Sequence, residues 1–513
     1  MRRTRRSRPE RRRAAWVVVV LAVALAVLLL LSPRRRAEHG VPVVVQFSPE
    51  AGFCEAPFDL TLSCPGPAAA IRYTLDGSEP SARNGIDYSG PLRIERNSVV
   101  RAAAFRLGAP EGRALTRSYL FDDGQASRAV PTVSIVGDPH DSLYEPNGIM
   151  GSGQDAEELA QENVLGRGKD FERPVSVEYL PPDATPGFST GCGIRIHGGD
   201  LKRINYVRAV KNEKSGEDTL LSFRLYFRGK YGVPRVEYPL FDDSLVETFN
   251  CLILRANLHE KHQCINNELT SRLFADCGYL ASHARYVNLF INGEYQGDYT
   301  LCERPDDSFF RAHYGSDRKW DILTQEGIRN GDVRRWKAMI DFAKNHDLAN
   351  DADYEEMGRY LDIEAFTDYI IVETYAAHSD WPWHNWLAAR ERTEQGVFRF
   401  YVWDAQATFI QVEYNPLAEI DRDRRAVGVL FRALEASPRF RGRFGARVQA
   451  LFADGGPLCT ANVMRRYEEL RDQAKLVAPD INTKEIEDFI AKRQDLYFGL
   501  LGQLMPREND DRT

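Results

Sequence analysis

The chain has no C-x₂-C pair, so cysteine spacing alone offers no zinc module despite eight cysteines. It has no surplus of positive charge either: 67 Lys and Arg stand against 74 Asp and Glu, a net of −7. Phosphate-backbone binding needs clustered cations, so nucleic acid is excluded as a partner. No pair of carboxylates stands at an evident glycosidase spacing. What is present is ordinary for a globular protein, 43% hydrophobic and 27% charged residues. A length of 513 residues allows two to four domains.

The charge is unevenly placed. Residues 1–40 hold eleven Arg and two Glu, with no Lys or Asp, a net of +9. The remainder therefore carries −16, an acidic body compatible with divalent cations. Residues 1–13 read as a basic cytoplasmic segment, and Ala14 to Ser32 is an apolar run of 19 residues, long enough to span a hydrocarbon core. The heavier basic flank precedes it, which predicts a single-pass anchor with the body outside the cytoplasm. A cleaved signal followed by secretion is the alternative, but no small-x-small site follows directly. In an exported chain, an even cysteine count predicts disulfides, and Cys54 with Cys64, flanking the strand-like FDLTL, is the expected pair.

Residues 42–121 alternate short strand-like runs with turn signals (SPEAG, CPGP, DGSEP, YSGP), which predicts a small all-β sandwich. The string IRYTLDGSEPSARNGIDYSGPLRI resembles the C-terminal domain family of chitobiases and β-hexosaminidases. That resemblance implies an accessory module with possible polysaccharide contact. FDDGQASRAVP then reads as a linker, and the main domain is expected over 129–505.

The stretch ETYAAHSDWPWHNWLAARERTEQGVFRFYVWDAQATFI (373–410) organises this larger part. A helix apolar nearly all round ends near His378. Asp380 follows, then Asn385, a strand hairpin, and Asp404 at the end of its second strand. Phosphoryl transfer needs a carboxylate to orient the acceptor and oxygen ligands for Mg²⁺, and this order of Asp, Asn and Asp suits it. The HRD and DFG triplets of protein kinases are absent. DWPWHNW, FRFYVWDAQ, NGEYQGDYTLCERPD, IRIHGGD, SFRLYFRGKYG and YPLFDD resemble the spore-coat-protein-H (CotH) family of atypical kinase-like proteins.

The resemblance implies an α+β chain: a bilobal, atypical protein-kinase-like domain with a mixed β amino lobe and a helical carboxy lobe. It implies Asp380 as the catalytic carboxylate, with Asn385, Asp404 and the Gln406 position holding Mg²⁺ or Mn²⁺. Arg195, His197, Gly198, Gly199, Lys202, Arg203 and Lys211, read as a charged loop between two strands, are candidates to meet ATP phosphates. Glu268 lies on an αC-like helix, and Glu303 falls at a hinge beside the adenine. Two departures stand out. The family's Lys before the SFRLYF strand is replaced by Leu220–Leu221–Ser222, leaving Arg224 or Lys211 as substitutes, and the second acid of the metal motif is Gln406. The expected acceptor is a Ser or Thr hydroxyl of an envelope or secreted protein. The alternative is an inactive pseudokinase-type scaffold or cell-surface, polysaccharide-binding protein.

Overall fold

The computed structural model describes residues 44–65, 70–122, 124–151, 163–183, 185–211, 220–257 and 263–504. The basic segment and the apolar run 14–32 lie outside these residues. Among the described residues, no helix is long and apolar enough to cross a membrane.

The first unit is two facing β-sheets. One holds Gln46–Ser48, Phe58–Ser63 and Leu92–Ile94; the other is built round Ser98–Arg106, flanked by Ala70–Thr74 and Leu115–Phe121. Alternation puts Leu60, Leu62, Ile71, Tyr73, Val100 and Ala102 between the sheets. The expected disulfide is absent. Cys54 lies on a strand paired with Leu115–Phe121, Cys64 follows a strand of the opposite sheet, and all eight cysteines are free thiols. Nearness in sequence failed here because the chain crosses between sheets after Cys54.

A closed barrel follows: β1 (Thr132–Val136), β2 (Arg173–Leu180), β3 (Phe188–His197), β4 (Ser222–Tyr226), β5 (Cys251–Ala256), β6 (Ala284–Ile291) and β7 (Glu294–Glu303). Neighbours pair in the order β1-β2-β3-β4-β5-β7-β6, all antiparallel except β6 with β1, which closes the ring. Val177, Ile194, Phe223, Leu225, Leu252, Leu254, Tyr299 and Leu301 fill the interior. Strand alternation therefore turns Arg195, Arg224, Arg255 and Cys302 to the outer face. The β6–β7 turn has positive φ at Asn292 and Gly293, the Asn-Gly turn the sequence predicts. The Asn292 amide also bonds both backbone groups of Gly137 at 2.9 Å.

The segment read as a charged loop is helix α1 (Asp200–Lys211). Its anchor is Arg203, 3% exposed, which donates to the carbonyls of Val164, Gly166, Ile196 and Gly198. Helix α2 (Gln263–Asp276) follows β5, with Ile265, Leu269, Leu273 and Phe274 on its buried face. Helix α3 (Asp307–His313) follows β7, its N-terminus capped by the Asp306 carboxylate accepting from Ser308 and Phe309.

The rest is mainly helical. Helices α4 (Arg334–Asn345), α5 (Asp351–Met357) and α6 (Ile363–Tyr375) surround a four-stranded sheet of β8 (Trp320–Thr324), β9 (Gly327–Asn330), β10 (Trp386–Glu391) and β11 (Arg399–Val402). Eleven residues of α6 are buried, as its apolar circumference requires. The charged stretch 419–427 begins in a short helix, α7 (Pro416–Arg422). Four more helices finish the chain: α8 (Ala426–Glu435), α9 (Pro438–Phe452), α10 (Thr460–Lys475) and α11 (Lys484–Leu504).

Candidate functional site

Helix α6 ends at the site, and its last carbonyls need partners. Arg493 of α11, fully buried, supplies them. It donates to Thr374 O at 2.6 Å, Tyr375 O at 2.8 Å, Val412 O at 2.5 Å and Tyr414 O at 3.0 Å. The chain beyond the helix is then zipped to the segment after β11: Ser379 N donates to Ala407 O at 3.0 Å, and Phe409 N to Ala376 O at 2.9 Å. Trp381 is core, its indole N–H donating to the Tyr369 hydroxyl at 2.8 Å, while His384 is exposed.

Between these strands of chain lies a pocket of about 260 Å³ lined by Ser379, Asp380, Asn385, Asp404, Gln406, Ala407 and Ile410. Asn385 Nδ2 donates to the Asp404 carbonyl at 3.1 Å and lies 3.5 Å from Asp380 Oδ2. Backbone strain gathers here. Ala377, Asn385, Asp404 and Phe409 all have positive φ near 55°, a region that side chains with a Cβ seldom adopt. Such strain persists only where surrounding contacts enforce it, and it collects at functional sites.

Helix α2 supplies much of that enforcement. Asn266 Nδ2 donates to Gln406 O at 3.3 Å and to Thr408 O at 2.6 Å. Asn267 Oδ1 accepts from Ala405 N at 2.9 Å, and the Thr270 and Thr408 hydroxyls meet at 3.0 Å. Neutral side chains of one helix thus add to the backbone contacts that hold the loop bearing Asp404.

The outer face of the barrel overlooks the pocket with cations. Arg255 Nη1 pairs with Asp404 Oδ1 at 3.1 Å, although 149 residues separate them. Lys202 of α1 also feels Asp404; burial holds its ammonium below the usual range despite that carboxylate. Arg224 is depressed in the same way, by burial and then by Arg304. Its Nε donates to His197 Nδ1 at 2.8 Å. Burial and the surrounding arginines push His197 well below its ordinary range, so the imidazole is neutral and accepts. Gly198, with φ at +103°, and Gly199 lie beside this face, and a Cβ on either would meet open space.

Several expected residues take other places. Arg195 is engaged by Glu172 at 3.4 Å and stacks on Tyr226, 4.0 Å from its ring centre. Arg203 uses its guanidinium on backbone carbonyls, so it positions the glycines. Lys211 ends α1, and its side chain is outside the described set. Glu268 is buried in α2; burial raises its carboxyl, while Arg255 acts in the opposite direction. Leu221, at the family's Lys position, packs in the barrel core, and Leu220 packs against it.

Glu303 is a correction. It shares a strand face with Leu301, opposite to Cys302 and Arg255, so alternation turns it away from the cationic face. Its two oxygens meet His283 and His313 instead. Sequence reasoning missed Arg255. Its one signal is a lone cation in the apolar strand CLILRA, directly before α2.

Comparison with known proteins bears on this arrangement. Residues 215–486 match a family described as CotH kinase protein, 272 of the 513 residues. Residues 60–119 match a second family, described as Fn3 associated, which lies on the two-sheet unit. No curated protein matches.

Proposed function

Because the chain belongs to the CotH kinase family, we propose that it transfers the terminal phosphoryl group of ATP to a Ser or Thr hydroxyl of a protein. The observation that carries this reading is the convergence of Asp380, Asn385 and Asp404 on one pocket, under a face of partly desolvated cations. Cations stripped of water, with few carboxylates among them, favour an anionic ligand. The order of elements supports the same reading. Arg255 and Glu268, on a strand and the helix after it, stand where a kinase carries its strand Lys and αC Glu.

In this mechanism Asp380, exposed at the pocket, orients the acceptor hydroxyl and takes its proton. The new P–O bond forms as the bond to the leaving ADP oxygen breaks. Lys202, Arg255 and Arg224 offset charge on the phosphates, and the Gly198–Gly199 backbone allows their close approach. The donor set fits Mg²⁺ or Mn²⁺. Asp404 brings a carboxylate, and Asn385 and Gln406 bring amide oxygens, the hard ligands such ions take. Asn385 uses its Nδ2 on Asp404 and Asp380, and its Oδ1 carries the lone pairs a cation needs. A bound metal ion supplies neutralisation of phosphate charge.

We further place the body outside the cytoplasm, anchored by 14–32 or secreted, with an envelope or secreted protein as acceptor. The catalytic domain then spans 129–505, and the unit over 42–121 serves as a spacer or polysaccharide contact. One observation favours a scaffold instead: Arg255 already occupies an oxygen of Asp404.

Thermal unfolding with and without Mg²⁺–ATP, run beside a phosphate-transfer assay, separates these readings. Ligand at a hundred times its dissociation constant adds about 2.7 kcal/mol to the native state. Asp404→Ala should lose both stabilisation and transfer, and Asp380→Ala should lose transfer alone. Nucleotide binding without transfer to any acceptor favours the scaffold. Transfer that survives both substitutions refutes the assignment.

A further inference from the structure

A second chemical cluster lies on the other side of β7, away from the pocket. Glu303 ends that strand, 3% exposed. Its Oε2 is 2.8 Å from His283 Nδ1, and its Oε1 is 2.8 Å from His313 Nε2. The two imidazoles stack at 5.5 Å between centres, and the three ligand atoms all lie within 4.8 Å of one another. Phe309 packs on His313 and Phe241 on His283, so apolar rings wall the group.

One carboxylate serves both imidazoles: each Glu303 oxygen meets one ring nitrogen, His283 Nδ1 or His313 Nε2. Two imidazole nitrogens and a carboxylate converging on one point are the donor set of a transition-metal site.

We propose that His283, Glu303 and His313 bind a divalent transition-metal ion, Zn²⁺ by the softness of the set. Two imidazoles and one carboxylate suit zinc, and the hard oxygen-loving ions belong to the other pocket. Around one zinc, tetrahedral ligand atoms stand about 3.4 Å apart; here each nitrogen is 2.8 Å from a carboxylate oxygen and the whole set lies within 4.8 Å. Three protein ligands leave the fourth position to water, and the partly exposed edge of His283 gives the ion a way in. The three residues come from the position before β6, the end of β7 and the end of α3. A metal there clips the barrel to the first helix beyond it. No local spacing marks the site, because the ligands are 10, 20 and 30 residues apart along the chain.

The test is a titration of the purified full-length chain, first stripped with chelator, using Co²⁺ and then Zn²⁺. One equivalent of Co²⁺ should give the intense visible absorption of a tetrahedral site, and Zn²⁺ should bleach it. Asp404→Ala should leave this signal intact. His313→Ala and Glu303→Gln should weaken binding beyond the roughly 100-fold loss typical of an outer-shell partner. A second readout avoids variants that fold poorly: Zn²⁺ should protect His283 and His313 of the unmodified chain from histidine acylation. No tetrahedral spectrum, unweakened binding in His313→Ala, or identical acylation with and without Zn²⁺ would each overturn the proposal.

Discussion

Replacing Arg493 with Met tests how the end of α6 and the chain bearing Asp380 are held. Arg493 is fully buried, and its guanidinium donates to the carbonyls of Thr374, Tyr375, Val412 and Tyr414. Burial pushes its guanidinium from 12.5 down to about 10. That depression corresponds to a cost of roughly 3 kcal/mol for carrying the charge into the fold. Four charge-assisted hydrogen bonds at about 1.5 kcal/mol each offset it by roughly 6 kcal/mol. The hydrogen bonds win by about 3 kcal/mol, which the Met variant forfeits. At about 2.1 cal/mol/K per residue over roughly 375 residues, that lowers Tm by about 4 °C. Thermal unfolding of Arg493→Met reads this directly, with Arg493→Lys as a partner that reaches fewer of the carbonyls. A Tm within a degree of the parent would refute the reasoning, since the desolvation cost would then cancel the bonds.

Two further perturbations separate other parts of the argument. Glu178, buried between the two-sheet unit and the barrel with Arg117 at 3.6 Å, has its carboxyl raised by burial to about 7. The folded state keeps this proton between 4.5 and 7 while the unfolded chain releases it, so stability falls as pH rises through that window. Glu178→Gln should therefore gain on the parent at pH 8 but not at pH 4.5 in urea unfolding; an equal difference at both would count against it. Arg255→Met should weaken ATP binding by about ten- to a hundredfold, the worth of one charge-assisted contact. An unchanged dissociation constant by calorimetry would remove Arg255 from the phosphate site.

The parts of the site legible in the sequence are those close together along it. Asp380, Asn385 and Asp404 fall within 25 residues, and the chain's own hairpin returns the last beside the first two. Arg255 reaches Asp404 only because β5 joins the ring between β4 and β7, and no local pattern encodes that pairing. Lys202 was legible as a candidate, but the chain from Asp200 was not legible as a helix. Its order depends on Arg203 finding carbonyls on β3 and on the stretch before β2. Glu303 shows the opposite failure: the strand was readable, and counting alternation from Leu301 would have turned the carboxylate away from the pocket. The long buried helix α6 needed no tertiary information, because its composition leaves no face for water.

Asn266, Asn267 and Thr270 hold residues 405–408 through amide and hydroxyl groups alone. Such a grip is indifferent to ionic strength, unlike the Arg255–Asp404 pair, whose partner is 44% exposed and open to screening. It also removes a degree of freedom. The segment carrying Asp404 cannot swing outward unless α2 travels with it, and α2 is anchored in the core through Ile265, Leu269 and Leu273. A swing of residues 405–408 alone would therefore have to break the contacts of Asn266, Asn267 and Thr270 together.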